Sequence, residues 1–171
     1  MSHTQIGRAE RGVPDTLTIE LAAKMASVLG LELNVTLHPV GDPVRDKGHI
    51  ALLQRFRTRL PDVIRWRTEV AIPIQGDLRS ADAVIGAGGW TAIVEAETRL
   101  DDVQALERKI NLKQRDLAIG RVILLVADTR HNRSVVTTVP ALTAHFPVST
   151  RACLAALMRG RDPGGDALVI L

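Results

Sequence analysis

Apolar residues recur along this chain in two rhythms, one of three and four residues and one of two. Leu17, Leu21, Met25 (or Ala22) and Val28 keep helical spacing, which predicts a helix over 16–29. Asp15 or Thr16, following Pro14, is the expected cap and Gly30 the expected stop. A shorter helix is expected over 3–11, closed by Gly12. Leu31, Leu33, Val35 and Leu37 then alternate with polar partners, as in a strand. Pro39, Gly41 and Pro43 interrupt all periodicity and divide the chain into residues 1–38 and 44–171.

The longer segment has its own order. A helix is expected over 50–60, with Ile50, Leu53, Phe56 and Leu60 on its inner side and Pro61 as its stop. Trp66, Thr68, Val70 and Ile72 alternate with Arg65, Arg67 and Glu69 in a half-buried strand. Strands over 81–85 and 90–96 flank Gly86, Gly88 and Gly89. A strand on each side makes this a hairpin turn and not a dinucleotide-binding fingerprint, which a helix would follow. A helix over 101–114 turns Val103, Leu106 and Ile110 inward, with Asp101 as cap. Val122 to Val126 is an unbroken apolar run, expected of a strand buried on both faces. Helices over 133–139, 140–144 and 150–159, the last capped at Ser149 or Thr150, lead to a final strand over 166–171. Helix, three strands, helix and strand make an α/β fold of three layers.

The 171 residues suit one domain with an appendage. A hydrophobic content of 46% with 24% charged residues excludes wholesale disorder. No apolar run reaches the roughly 20 residues of a membrane span, and the first ten residues lack the apolar stretch of a signal peptide. The single Cys153 excludes an internal disulfide and reads as a core residue, which suits the reducing cytoplasm. Four aromatic residues, Phe56, Trp66, Trp90 and Phe146, are too few for a stacking platform on single-stranded nucleic acid.

The net charge of +3 conceals alternating blocks. Residues 45–67 and 108–133 are basic. Over 95–107 the sign reverses, and Glu95, Glu97, Asp101, Asp102 and Glu107 face only Arg99. Glu95 and Glu97, two apart on a strand, share a face. If the second and third strands pair through their glycine turn, Asp82 joins them. Three converging carboxylates repel unless a cation such as Mg²⁺ or Mn²⁺ neutralises them, and Gln104 on the following helix is placed to reach the same end of the sheet. The alternative is an exposed acidic strand face paired with Arg65, Arg67 or Arg99. The five histidines, His49 among them, show no metal-binding spacing, and His131 reads as part of a helix-starting loop.

From about Gly48 to Val126 the layout resembles the PD-(D/E)xK nuclease superfamily. Asp82 stands as the motif aspartate and Glu95-Ala96-Glu97 as the D/E-x-K element. The resemblance implies a restriction-endonuclease-like core (α-β-β-β-α-β) and Asp82 and Glu95 as ligands of Mg²⁺ or Mn²⁺. It places Glu97, as a metal ligand or water-orienting group, where the family has a lysine that orients or activates water. Some restriction enzymes of the superfamily carry glutamate there and are active, while other members with altered motifs have lost catalysis. Lys109 and Lys113 on the next helix are candidates for a migrated lysine.

Residues 4–12 followed by 17–31 resemble the back half of a helix-turn-helix of the Xre/Cro repressor type. That resemblance puts Thr4, Gln5 and Arg8 at base-edge and phosphate contacts. The helices that precede recognition in that family are not in the sequence. The chain therefore begins too late, or the half-motif packs elsewhere or serves as a homodimer contact. Together these features point to a cytoplasmic, duplex-DNA-associated protein with a Mg²⁺-dependent endonuclease-like domain. In it Arg65, Arg67, Arg99, Lys109 and Lys113 would hold the backbone, with Glu69 and Gln104 as supporting residues. The alternatives are a non-catalytic Xre-type regulator on a degenerate nuclease fold, and an interaction domain whose arginines pair with the carboxylates.

Overall fold

The structure, a computed structural model, describes residues 18–33, 35 and 43–171. It divides into two compact units, Met1–Val40 and Gly41–Leu171. In the first, helix α1 spans Ile19–Val28. Its cap is Thr18, whose Oγ1 accepts the Leu21 amide at 3.2 Å, rather than Asp15 or Thr16. No residue of α1 is buried. Residues 31–33 and 35 form no strand, against the expectation from their alternation, and Leu31 and Val35 are exposed. Without a partner strand, alternation by itself gives the backbone nothing to pair with. The helix expected over 3–11, with Thr4, Gln5 and Arg8, lies outside the described residues.

In the second unit, helix α2 runs over Pro43–Arg57 and starts seven residues earlier than its apolar pattern indicates. Pro43 opens the helix rather than breaking the chain, because a first-turn residue needs no amide hydrogen. Leu52 and Phe56 are its buried pair, while Ile50, expected inside, is 54% exposed. Five strands follow: β1 (Arg65–Ala71), β2 (Ser80–Ala87), β3 (Trp90–Glu97), β4 (Val122–Val126) and β5 (Ala167–Ile170). Helix α3 (Val103–Leu117) links β3 to β4. Helices α4 (Arg130–Thr138), α5 (Pro140–His145) and α6 (Thr150–Leu157) link β4 to β5. The strands form one open mixed sheet in chain order, antiparallel from β1 to β3 and parallel from β3 to β5. Among the described residues, no helix is long and apolar enough to cross a membrane.

The apolar side chains of the sheet separate into two clusters. Ala83, Ile85, Val94, Ile123 and Val169 pack with Leu52 and Phe56 of α2 and with Cys153 and Leu157 of α6. Val84, Ile93, Leu124 and Leu168 pack with Leu106 and Ile110 of α3 and with Leu142. Burial on both sides explains why β4 reads Val-Ile-Leu-Leu-Val without a polar residue. Helix α3 takes its cap from Asp102, whose Oδ1 accepts the Ala105 amide at 2.8 Å, one residue beyond the expected Asp101. Ser149 caps α6.

Candidate functional site

The β1–β2–β3 ladder changes character at Asp82. The β1–β2 register pairs Thr68 with Ala83 and Val70 with Ala81, on either side of Glu69 and Asp82. Glu69 has φ +49°, in the left-handed region. Both strands turn over there. Ala83 packs with the α2 side of the sheet and Ala81 with the α3 side, although residues two apart on a regular strand share a face. Pairing of β2 with β3 ends at Ala83 and Val94.

Two carboxylates take over where that ladder stops. Asp82 Oδ2 accepts the Ala96 amide at 2.8 Å, and Glu95 Oε1 receives the Asp82 amide at 3.4 Å. Asp82 and Glu95 are thereby set side by side at the opening of the strands. Glu97, two residues on, shares with Glu95 a contact of 3.7 Å to Lys109 Nζ.

Helix α3 answers this cluster with two lysines. Leu106, Lys109, Ile110 and Lys113 lie on one stripe of the helix by their three- and four-residue spacing. Lys113 Nζ donates to Glu95 Oε1 at 2.7 Å and to Oε2 at 2.6 Å. The two side chains are 4% and 1% exposed, so this is an ion pair inside the protein. Lys109 Nζ stands 3.7 Å from Glu95 Oε2 and 3.7 Å from Glu97 Oε1. From the other side of the sheet, His49 Nε2 on α2 lies 3.6 Å from Asp82 Oδ2. Helix α2 comes close at this point through Gly48, where a Cβ would stand 3.0 Å from Thr98 Cγ2.

The titration behaviour follows from these neighbours. Burial lifts the Asp82 carboxyl, but His49, the Ala96 amide and the Lys113 charge together outweigh it and hold the group below its ordinary value. Burial and the adjacent Asp82 charge push Glu95 above its ordinary value, against the pull of Lys113. The contact with Asp82 raises His49 in spite of burial. Burial would lower Lys109, yet Glu95, Glu97 and Asp82 together raise it.

Several expectations are corrected. Glu95 is buried, not part of an exposed acidic face, and its partner is Lys113 rather than Arg65, Arg67 or Arg99. Lys113 is buried and so is no surface contact for a DNA backbone. Arg99 is exposed and bonds Asp101 at 2.7 Å. Gln104 is exposed and bonds none of the site residues. It lies two residues from the buried Leu106, about 200° around the helix. Arg65 and Arg67 are exposed on β1 and pair with no carboxylate among the described residues. With Gly86 and Thr91 they line a cleft of about 630 Å³. A groove of about 390 Å³ between α2 and β1 is lined by Ile50, Leu53, Trp66, Glu69 and Asp82.

His49 was missed because its partner Asp82 is 33 residues away on another element, so no local spacing announces it. Asn132, next to His131, likewise carries no local spacing that marks it. It is fully buried, accepts the Leu100 amide at 2.9 Å and donates to Thr98 O at 3.0 Å and Ala127 O at 2.8 Å. It thus fixes the β3–α3 connection beside Glu97.

The donor set can be weighed against a divalent cation. Both Glu95 oxygens are engaged by Lys113, Asp82 Oδ2 by an amide, and Glu97 faces Lys109. Among the described residues, no three His, Cys, Asp or Glu side chains are disposed to hold a metal ion. As arranged, the carboxylates do not fit a Mg²⁺ or Mn²⁺ site, because their charge is already met by cations of the chain. Comparison with family models, with curated proteins and with solved structures finds no match for this chain.

Proposed function

We propose that the second unit is a duplex-DNA-binding module on a restriction-endonuclease-like arrangement, without hydrolysis of its own. One observation carries this reading. The acidic cluster has its compensating charge within the chain, whereas Arg65 and Arg67, two apart on one strand face, pair with no carboxylate among the described residues and line a cleft of about 630 Å³. Unpaired guanidinium groups in a cleft suit phosphate oxygens and add affinity that falls with salt. The helix, three strands, helix and strand from α2 to β4 support the nuclease-like lineage. A regulator of the Xre type, acting as a homodimer, is the wider role proposed for the whole chain.

Duplex binding followed by fluorescence anisotropy against salt tests this. Each phosphate contact contributes about 0.9 to the slope of log K on log salt, so Arg65→Ala with Arg67→Ala should reduce the slope by about 1.8. Loss of all duplex binding by the wild type would remove the proposal.

A second reading is Mg²⁺- or Mn²⁺-dependent phosphodiester hydrolysis. The meeting of Asp82, Glu95 and Glu97 with a lysine at one end of the sheet favours it. It requires Lys113 to release Glu95. Cleavage of duplex by the wild type, lost in both Asp82→Ala and Glu95→Ala, would establish it over the binding module.

A further inference from the structure

We propose that Lys113 stands in for a divalent cation, so that this carboxylate cluster is complete without metal; the inference rests on the non-hydrolytic reading of the site. Asp82, Glu95 and Glu97 bring three negative charges to one end of the sheet. Buried carboxylates persist only where a counter-charge meets them. Lys113 Nζ contacts both oxygens of Glu95, as one cation shared between two ligand atoms would, and it does so with its side chain almost wholly buried. Lys109 sits between Glu95 and Glu97 at 3.7 Å from each, supplying a second charge. His49 Nε2 stands 3.6 Å from Asp82 Oδ2, the oxygen that also accepts the Ala96 amide. Both lysines come from the helix that follows β3 and lie on the same stripe as Leu106 and Ile110, so the docking that buries the core of α3 also delivers the charges.

A hard divalent cation needs several oxygen ligands at once. Here Glu95 and Glu97 already have ammonium neighbours, Asp82 Oδ2 is engaged by an amide and faces a histidine, and Glu95 has no oxygen free of a lysine. A metal entering the wild-type site must displace an ammonium from a buried position. Removing that ammonium reverses the preference, because it leaves Glu95 buried, charged and close to Asp82.

The test uses the full chain and Mn²⁺ alone, followed by the electron paramagnetic resonance of free Mn²⁺ and by thermal melting, without DNA. The wild type is expected to show no saturable Mn²⁺ binding and no rise in Tm at millimolar metal. Lys113→Met is expected to melt lower and to bind Mn²⁺ at least about tenfold more tightly. Adding Asp82→Asn should abolish that gain. Lys113→Met with Glu95→Gln, which removes both charges, should recover the melting temperature and gain no metal affinity. Stoichiometric Mn²⁺ binding by the wild type that Asp82→Asn removes would overturn the proposal. So would a folded Lys113→Met protein with no gain in Mn²⁺ affinity. If Lys113→Met is unfolded without metal, Mn²⁺ must restore its circular dichroism, and failure to do so also overturns the proposal. Failure of duplex binding would remove the proposed function and leave these titrations standing, so the two are judged separately.

Discussion

His49 Nε2 stands 3.6 Å from Asp82 Oδ2, joining helix α2 to the point where β2 leaves β3. Asp82 raises His49 and, on balance, is itself held low. A histidine whose folded pKa lies above its unfolded value of about 6.5 adds stability that is complete below that pH and is lost as pH rises through the raised value. Asp82, lowered, adds stability present above about pH 3.9 and lost as pH falls through its folded value. The destabilisation caused by His49→Gln in urea should therefore be larger near about pH 5 than near about pH 9. Equal effects at both would show that the contact carries no charge.

Asn132 offers a sharper stability test. Its side chain satisfies the Leu100 amide and the carbonyls of Thr98 and Ala127 within the protein. Asn132→Ala leaves those groups unpartnered and should cost about 2–3 kcal/mol in urea unfolding. Asn132→Asp keeps the shape and loses both donors, and should be no better. A loss well under about 1 kcal/mol would mean that water replaces the amide.

The β2–β3 hairpin turns on Gly88 and Gly89, with φ of +52° and +91°, directly after the pair Ala87 and Trp90. Two successive positive values are the geometry that favours Asn-Gly turns. Gly88→Asn should be tolerated. Gly89→Val should destabilise the protein by at least about 1 kcal/mol, because a β-branched residue is strained there. Thermal melts of the two variants, compared with wild type, decide the point.

Cys153 is fully buried in the cluster between the sheet and α6, and burial pushes its thiol up to about 12. A thiol so placed is protonated at neutral pH and shielded from reagents. In the native protein it should react with a disulfide reagent only as fast as the chain opens, and at once in denaturant. Rapid stoichiometric reaction in the native state would contradict this burial.

Much of the sheet was legible because its signals are local. The apolar run of β4, the glycine hairpin and the Val103, Leu106 and Ile110 stripe each sit within one element. Lys113 was legible at the site only through the family resemblance, as a candidate for a migrated lysine, and not from its own spacing. It falls seven after Leu106 on the apolar stripe, where a lysine is ordinarily read as turned outward. What brings it in is Glu95, 18 residues earlier on strand β3. The early start of α2 was hidden for a different reason, since Pro43 serves equally to break a chain and to open a helix. Glu95 and Glu97 were legible as neighbours because period-two alternation puts them on one face, and Asp82 because the hairpin register, which ends at Ala83 and Val94, leads to it. Their charge compensation depends on docking between elements, which no spacing records.

The margin of the sheet carries one more consequence. Among the described residues β1 pairs only with β2, which leaves its outer backbone groups as a template for a strand of another molecule. Such a strand could follow β1 only from Arg65 to Thr68, because at Glu69 the backbone turns left-handed and the face reverses. Four residues, two of them charged arginines, are too short and too repulsive a start for edge-to-edge growth. The kink at Glu69, next to the carboxylate cluster, thus also limits how far another strand could follow the β1 edge.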